Sequence, residues 1–162
     1  MAAAGLAGAA PGHAGTPAGA PPCGGGGPAV LATVTGFADR KGQVRVAIYR
    51  AMAEEYLASG RTVAKVDTPV PAAGPAIVCV PLSAPGPHVV AVLHDRDKTG
   101  RMNPWRDGVG FAGNPHLGLG KPPLARVTVE IDGLVRAHVV LNYLQGLRVR
   151  PLPAHRAGPQ AP

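Results

Sequence analysis

Short alternations of apolar and polar residues recur along the middle of the chain. Val44, Val46 and Ile48 alternate with less apolar neighbours, which is the period of a strand with one buried and one wet face. The segment 89–94 is almost continuously apolar and predicts a central strand buried on both faces. Altogether the pattern predicts seven strands, over residues 30–35, 44–49, 61–68, 77–82, 89–94, 126–131 and 135–143.

Turn signals between the strands indicate how they connect. The polar turn 39–42 predicts a hairpin between the first two strands, and Asp132-Gly133 predicts another between the last two. Helical periodicity is confined to the short stretch 52–59. We therefore expect an all-β fold: a seven-stranded antiparallel β-sandwich, immunoglobulin-like or transthyretin-like, over residues 28–146.

Both ends of the chain have the composition of disordered segments. Residues 1–27 are mostly Ala, Gly and Pro without a charged residue, and residues 147–162 form a tail rich in Pro and Arg. Ala7-Gly8-Ala9 fits the cleavage pattern of an export signal, although a positive start is missing, so the first segment is interpreted as a degraded signal peptide. No apolar run approaches about 18 residues, which argues against a transmembrane segment.

The charge pattern narrows the class of partner. Sixteen Lys and Arg against nine Asp and Glu give a net charge of +7, but the cations are dispersed and aromatic residues make up only 4%. A nucleic-acid interface clusters cations and interleaves exposed aromatics, so we expect no nucleic-acid partner. A basic surface attracts anionic lipid or polysaccharide without specificity. The sequence does not identify the partner, and an envelope protein or a glycan is the candidate class.

The two cysteines, Cys23 and Cys79, permit one intramolecular pairing. In an exported protein, a bridge would tie the N-terminal segment to a core strand and stabilise the fold by about 4 kcal/mol in the chain-entropy model. In a reducing compartment, Cys79 would be a buried thiol and Cys23 a solvent-exposed one. The compartment decides between the two interpretations.

A long loop, 95–123, follows the central strand and carries candidate metal ligands. Its first part matches the first half of an EF-hand calcium loop, with Gly100 at the turn, but Arg106 stands where a bidentate Glu belongs. In the alternative that we favour, the aspartates bond to backbone amides and hold the turn. The candidate calcium ligands are the side-chain oxygens of Asp95, Asp97, Thr99, Asn103 and Asp107.

The loop offers weaker signals for a catalytic dyad, a dinucleotide site and a stacking surface. His94 and Asp95 are adjacent in a strand and point to opposite faces, so they cannot form a dyad, and a structural hydrogen bond is the expected role of His94. The glycines of 108–113 match a dinucleotide fingerprint without its helix, and are interpreted as sharp turns. Trp105 and Phe111 could stack on a sugar, but we expect them to plug the open end of the core.

The same loop carries a family resemblance, together with the segments 42–49 and 141–143. The chain resembles the domain of unknown function 2141 family of exported bacterial proteins over about residues 28–146. The resemblance implies a small β-sandwich in a periplasmic or secreted setting, and no known activity. The loop positions that carry it are His94, Asp95, Asp97, Thr99, Gly100, Gly110, Phe111 and Asn114.

Three functions follow as expectations. The leading one is a non-enzymatic extracytoplasmic binding or structural module. The first alternative is a calcium-stabilised adhesion or glycan-binding module that uses the loop 94–111, and it requires Asp95 and Asp97 to converge and Trp105 to be exposed. The second is an enzyme centred on His94, which requires a pocket with His94 at its wall.

Overall fold

The computed structural model describes residue 23 and residues 25–153, which form ten strands and one helical turn. The predicted export signal and the predicted disorder of residues 1–22, 24 and 154–162 lie outside the described residues. The elements are β1 (Ala29–Thr35), β2 (Gln43–Arg50), β3 (Thr62–Pro69), β4 (Ala76–Pro81), β5 (Gly86–Asp95), β6 (Gly108–Phe111), α1 (Leu124–Val127), β7 (Thr128–Ile131), β8 (Leu134–Val140), β9 (Asn142–Gln145) and β10 (Arg148–Pro151).

The strands form two sheets around one core. The small sheet has the order β4-β1-β8, and the large sheet has the order β10-β9-β6-β5-β2-β3 with β7 also paired to β5. Alternate residues of β1 and β2 are buried in the shared core, as the sequence pattern predicts. The all-β class is therefore confirmed, and β5 is the predicted central strand, with β2 on one side and β6 and β7 on the other.

The strand count and the purely antiparallel pairing are wrong, and so are both hairpins. β1 and β2 lie in different sheets, and β8 pairs in parallel with β1. The reason lies in the length of β5: four-residue β6 covers only its second half, so β7 pairs with the first half. Asp132-Gly133 consequently carries the chain from the large sheet to the small one.

Two strands lie where loop or tail was predicted. β6 was missed because Gly108 and Gly110 hide the strand pattern, yet both are required by close packing. A Cβ on Gly108 would collide with the ring of Tyr143, and a Cβ on Gly110 would lie 2.5 Å from Val139 Cγ1. β10 lies beyond the predicted domain end at residue 146 and pairs with β9, although its Arg and Pro content resembles a tail.

A second apolar cluster lies on the outer face of the large sheet. It contains Tyr56, Val89, Phe111 and Val127, and the segments 51–58 and 112–127 cover it. The stretch 52–59, which has helical periodicity, forms successive turns instead. Among the described residues, no helix has the length and apolar character needed to cross a membrane.

Candidate functional site

The loop 96–107 leaves the sheet at the end of β5 and returns at β6, and Asp95 closes its first turn. Asp95 is fully buried, and its carboxylate accepts hydrogen bonds from Thr99 N (3.1 Å), Gly100 N (2.7 Å) and Gln43 Nε2 (3.0 Å). Burial alone would raise the pKa of Asp95, but these hydrogen bonds outweigh it and hold the pKa below the ordinary value. The charged carboxylate therefore braces the turn.

Asp107 closes the same loop from its other end. Its two buried carboxylate oxygens accept hydrogen bonds from Arg96 N (3.1 Å) and Asn103 N (2.8 Å). Arg96 adds a further link, because its guanidinium donates to Arg106 O (3.1 Å) and pairs with Asp39. The hydrogen bond from Arg96 lowers the pKa of Asp39. Asp95 and Asp107 therefore bond to backbone amides and hold the loop, which is the alternative to calcium binding that the sequence favours.

Three of the five predicted calcium ligands come together. One carboxylate oxygen each from Asp95, Asp97 and Asp107 lies within 4.8 Å of the others. Asp97 is exposed, accepts a long hydrogen bond of 3.4 Å from Thr99 N, and pairs with the Arg106 guanidinium at 3.8 Å. Thr99 Oγ1 donates to Arg101 O and Asn103 Oδ1 accepts from Trp105 N, so these two side chains hold turns of their own. Carboxylates are ligands that Ca²⁺ prefers, and the donor set of the cluster fits that ion.

His94 belongs to a buried hydrogen-bond chain rather than to a pocket. Its Nε2 lies 2.8 Å from Lys41 O and therefore carries the proton, so Nδ1 accepts from the Tyr143 hydroxyl at 2.7 Å. That hydroxyl in turn accepts from Ala38 N. Burial lowers the pKa of His94 and raises the pKa of Tyr143 to about 12. His94 has no exposed surface, and the condition that the enzyme alternative sets for it is not met.

Acidification below about pH 6.5 should destabilise the fold. The folded-state pKa of His94 lies below its ordinary value of 6.5, so the unfolded chain binds this proton more readily. The stabilisation is complete above the unfolded pKa and is lost as the pH falls towards the folded one. Urea unfolding between about pH 8 and 5 measures this loss, which His94→Gln should abolish and the exposed-site control His138→Gln should leave in place. A flat profile for the unaltered protein would contradict the assignment.

The two aromatic residues, Trp105 and Phe111, differ in burial. Trp105 is 79% exposed, so the prediction that it plugs the core is wrong. It lies in a turn that the Asn103 side chain holds, since Asn103 Oδ1 accepts a hydrogen bond from Trp105 N (3.1 Å). Phe111 is buried as predicted, but in the outer cluster rather than at an open end of the core.

The remaining signature residues have structural roles. Gly100 has a φ of 73°, which favours glycine, at the turn that Asp95 holds. Asn114 joins the segment 112–127 to β8, since its Oδ1 accepts from Val140 N (2.7 Å) and its Nδ2 donates to His138 O (2.9 Å).

An apolar cleft of about 500 Å³ lies on the outer face of the large sheet, between the loop 96–107 and the segment 117–122. Ala47, Ala91 and Leu93 belong to its floor, and Met102 and Leu119 are exposed apolar residues at its sides. Sequence reasoning missed this site because it took the face of β2 that carries Ala47 for a wet one. The small Ala47, followed two positions later by Tyr49, was the available signal.

A disulfide between Cys23 and Cys79 joins the segment before β1 to β4, so the predicted pairing of the two cysteines is formed. It lies on the small sheet, away from the cleft.

The comparisons with known proteins bear on the whole arrangement. Searches of curated proteins and of solved structures gave no match. A family model described as "Uncharacterized protein conserved in bacteria (DUF2141)" matches residues 32–137, from β1 to β8, and so includes the braced loop and much of the cleft. The match spans more than half of the chain and confirms the resemblance seen in the loop, and the chain belongs to this bacterial family, domain of unknown function 2141.

Proposed function

We propose that the protein is a non-enzymatic binding module that acts outside the cytoplasm, with the cleft as its binding surface. The observation that carries this proposal is the volume of about 500 Å³ over an apolar floor. Small-molecule sites are concave, mostly apolar and roughly 300–1,000 Å³ in size. The wall formed by the loop 96–107 is held by Asp95 and Asp107, so the cleft does not need a ligand to order it.

The chemistry of the lining supports binding rather than catalysis. Among the described residues, no His, Cys, Ser or Thr lines the cleft. Its one carboxylate is Asp107, whose two oxygens already accept backbone hydrogen bonds. A nucleophile with a neighbouring base, which acyl or phosphoryl transfer commonly needs, is not formed by these residues.

The proposed setting is periplasmic or secreted. The Cys23–Cys79 bridge supports it, because disulfides persist in oxidising compartments and are rare in the cytosol. The pair of facing sheets likewise supports kinship with immunoglobulin-like or transthyretin-like sandwiches.

Binding of the neutral fluorescent probe N-phenyl-1-naphthylamine tests the cleft. We expect enhanced probe fluorescence with the unaltered protein and at least tenfold weaker binding to Ala91→Leu, because the larger side chain fills the floor. Ala125→Leu is the matched control, since Ala125 is exposed on α1 and does not line the cleft. Equal binding by both variants, or none by the unaltered protein, would refute the cleft as the binding surface.

A second candidate function is a calcium-stabilised adhesion or glycan-binding module. The convergence of Asp95, Asp97 and Asp107 favours it, as does the exposure of Trp105 on the same loop. Asp97 separates the two roles of the cluster, because it adds a ligand oxygen while contributing little to the brace.

Thermal unfolding with calcium and with a chelator tests this candidate. A bound ion at about one hundred times its Kd should stabilise the folded state by about 2.7 kcal/mol. Asp97→Asn should abolish the calcium response with little change in chelator, whereas the exposed Asp132→Asn should keep the response. No rise in Tm with calcium for the unaltered protein would exclude the metal role.

A further inference from the structure

The cleft is long and crosses most of the large sheet. Its floor takes residues from β2, β5, β6, β9 and β10, which are consecutive in the sheet. At a strand spacing of about 4.8 Å, this path is about 19 Å long. Such a shape fits an extended chain better than a compact ring.

The charged groups of the cleft favour an anion. Of its two cations, Arg45 is neutralised by Asp67, with Nε 2.7 Å from Oδ1. Lys121 lies at the edge, where its ammonium sits 3.8 Å from the centroid of the Tyr56 ring. Within the part of the chain that the structure describes, the ion pairs leave Lys121 without a carboxylate partner. The Tyr56 ring holds a positive charge beside an apolar channel. Asp107, the one carboxylate of the lining, is buried and already accepts hydrogen bonds from Arg96 N and Asn103 N.

We propose that the cleft binds a soluble anionic amphiphile, an unbranched aliphatic carboxylate, whose chain lies along the sheet and whose carboxylate pairs with Lys121. This inference rests on the proposed binding function and names its ligand class. The aliphatic chain covers the apolar floor residues Ala47, Ala91 and Leu93, and the neighbouring Arg45 is already paired with Asp67. Each additional methylene that the cleft buries should tighten binding by roughly fourfold at most.

Calorimetric titration with decanoate and with decanol, both below their aggregation concentrations, tests the charge and the chain separately. We expect decanoate to bind about fivefold more tightly than decanol, because an exposed ion pair contributes at most about 1 kcal/mol. Lys121→Gln should remove that advantage and leave decanol binding unchanged. Lys41→Gln removes an exposed lysine that does not line the cleft and should leave both affinities as they are. Hexanoate and octanoate should bind progressively more weakly.

The outcomes distinguish this inference from the function beneath it. If the neutral probe and decanol bind, but decanoate does not bind more tightly through Lys121, the proposal of an anionic ligand is refuted and the cleft remains the binding surface. If none of the three binds, the proposed function itself fails. Sedimentation with phosphatidylglycerol vesicles that depends on Lys121, without decanoate binding, would replace the soluble ligand by a membrane surface and overturn the inference.

Discussion

Replacing Asp95 by alanine is expected to lower the free energy of unfolding by about 4 kcal/mol. The substitution removes a buried carboxylate and leaves three donors without their acceptor: Thr99 N, Gly100 N and Gln43 Nε2. A hydrogen bond to a charged group contributes about 1.5–3 kcal/mol, and water that enters at the edge of the loop recovers part of the loss. Urea unfolding at neutral pH measures the difference.

Asp97→Ala is the control for this loss, because Asp97 lies in the same turn but is exposed. We expect its effect to stay within about 0.5 kcal/mol. Asp95→Asn keeps one carbonyl acceptor without the charge and should fall between the two alanine variants. Equal stabilities of Asp95→Ala and Asp97→Ala would show that the loop does not depend on the buried carboxylate.

Removing the Cys23–Cys79 bridge is expected to cost about 4 kcal/mol of stability as well. The two cysteines are 56 positions apart, and the chain-entropy model gives about 4 kcal/mol for closing a loop of that size in the unfolded chain. The double variant Cys23→Ala with Cys79→Ala is preferred to serine substitutions, because a serine at the buried position 79 would bury a hydroxyl. Its unfolding free energy should match that of the reduced natural protein.

Reductant supplies the control for the bridge. It should destabilise the natural protein and leave the double variant unchanged, since that variant has no thiol to reduce. A difference below about 1 kcal/mol between oxidised and reduced protein would mean that the unfolded chain is little constrained by the bridge.

The sequence predicted the strands whose apolar residues alternate against the core, and it failed where local signals compete with long-range packing. β2 is clear because its alternation indicates one buried face, and β5 is clear because its continuous apolar run indicates burial on both faces. β6 was not predicted because its glycines are required by close packing against Tyr143 and Val139, which lie far away in the sequence. Asp132-Gly133 signals a turn correctly, but a dipeptide carries no information about which sheet the next strand joins.

In the candidate site, too, local contacts could be predicted from the sequence and long-range ones could not. The backbone contacts of Asp95 and Asp107 follow from local Asp chemistry, which the sequence predicts. The prediction that Trp105 is buried is wrong, because it rests on the usual burial of aromatic residues, whereas Trp105 lies in a surface turn of this loop. The cleft depends on five strands and two loops together, so the local signal of Ala47 and Tyr49 is not enough to predict it.

The parallel pairing of β1 with β8 sets the order in which this chain can fold. Ala29 is the register partner of Leu134, 105 positions later, so the small sheet is complete only when most of the domain is available. Contacts between such distant residues make folding slow, because the closure of a long loop must precede them. A nascent chain that has not yet reached β8 leaves one side of its first strand unpaired, and truncation before residue 134 removes a whole strand of the small sheet rather than a terminal appendage.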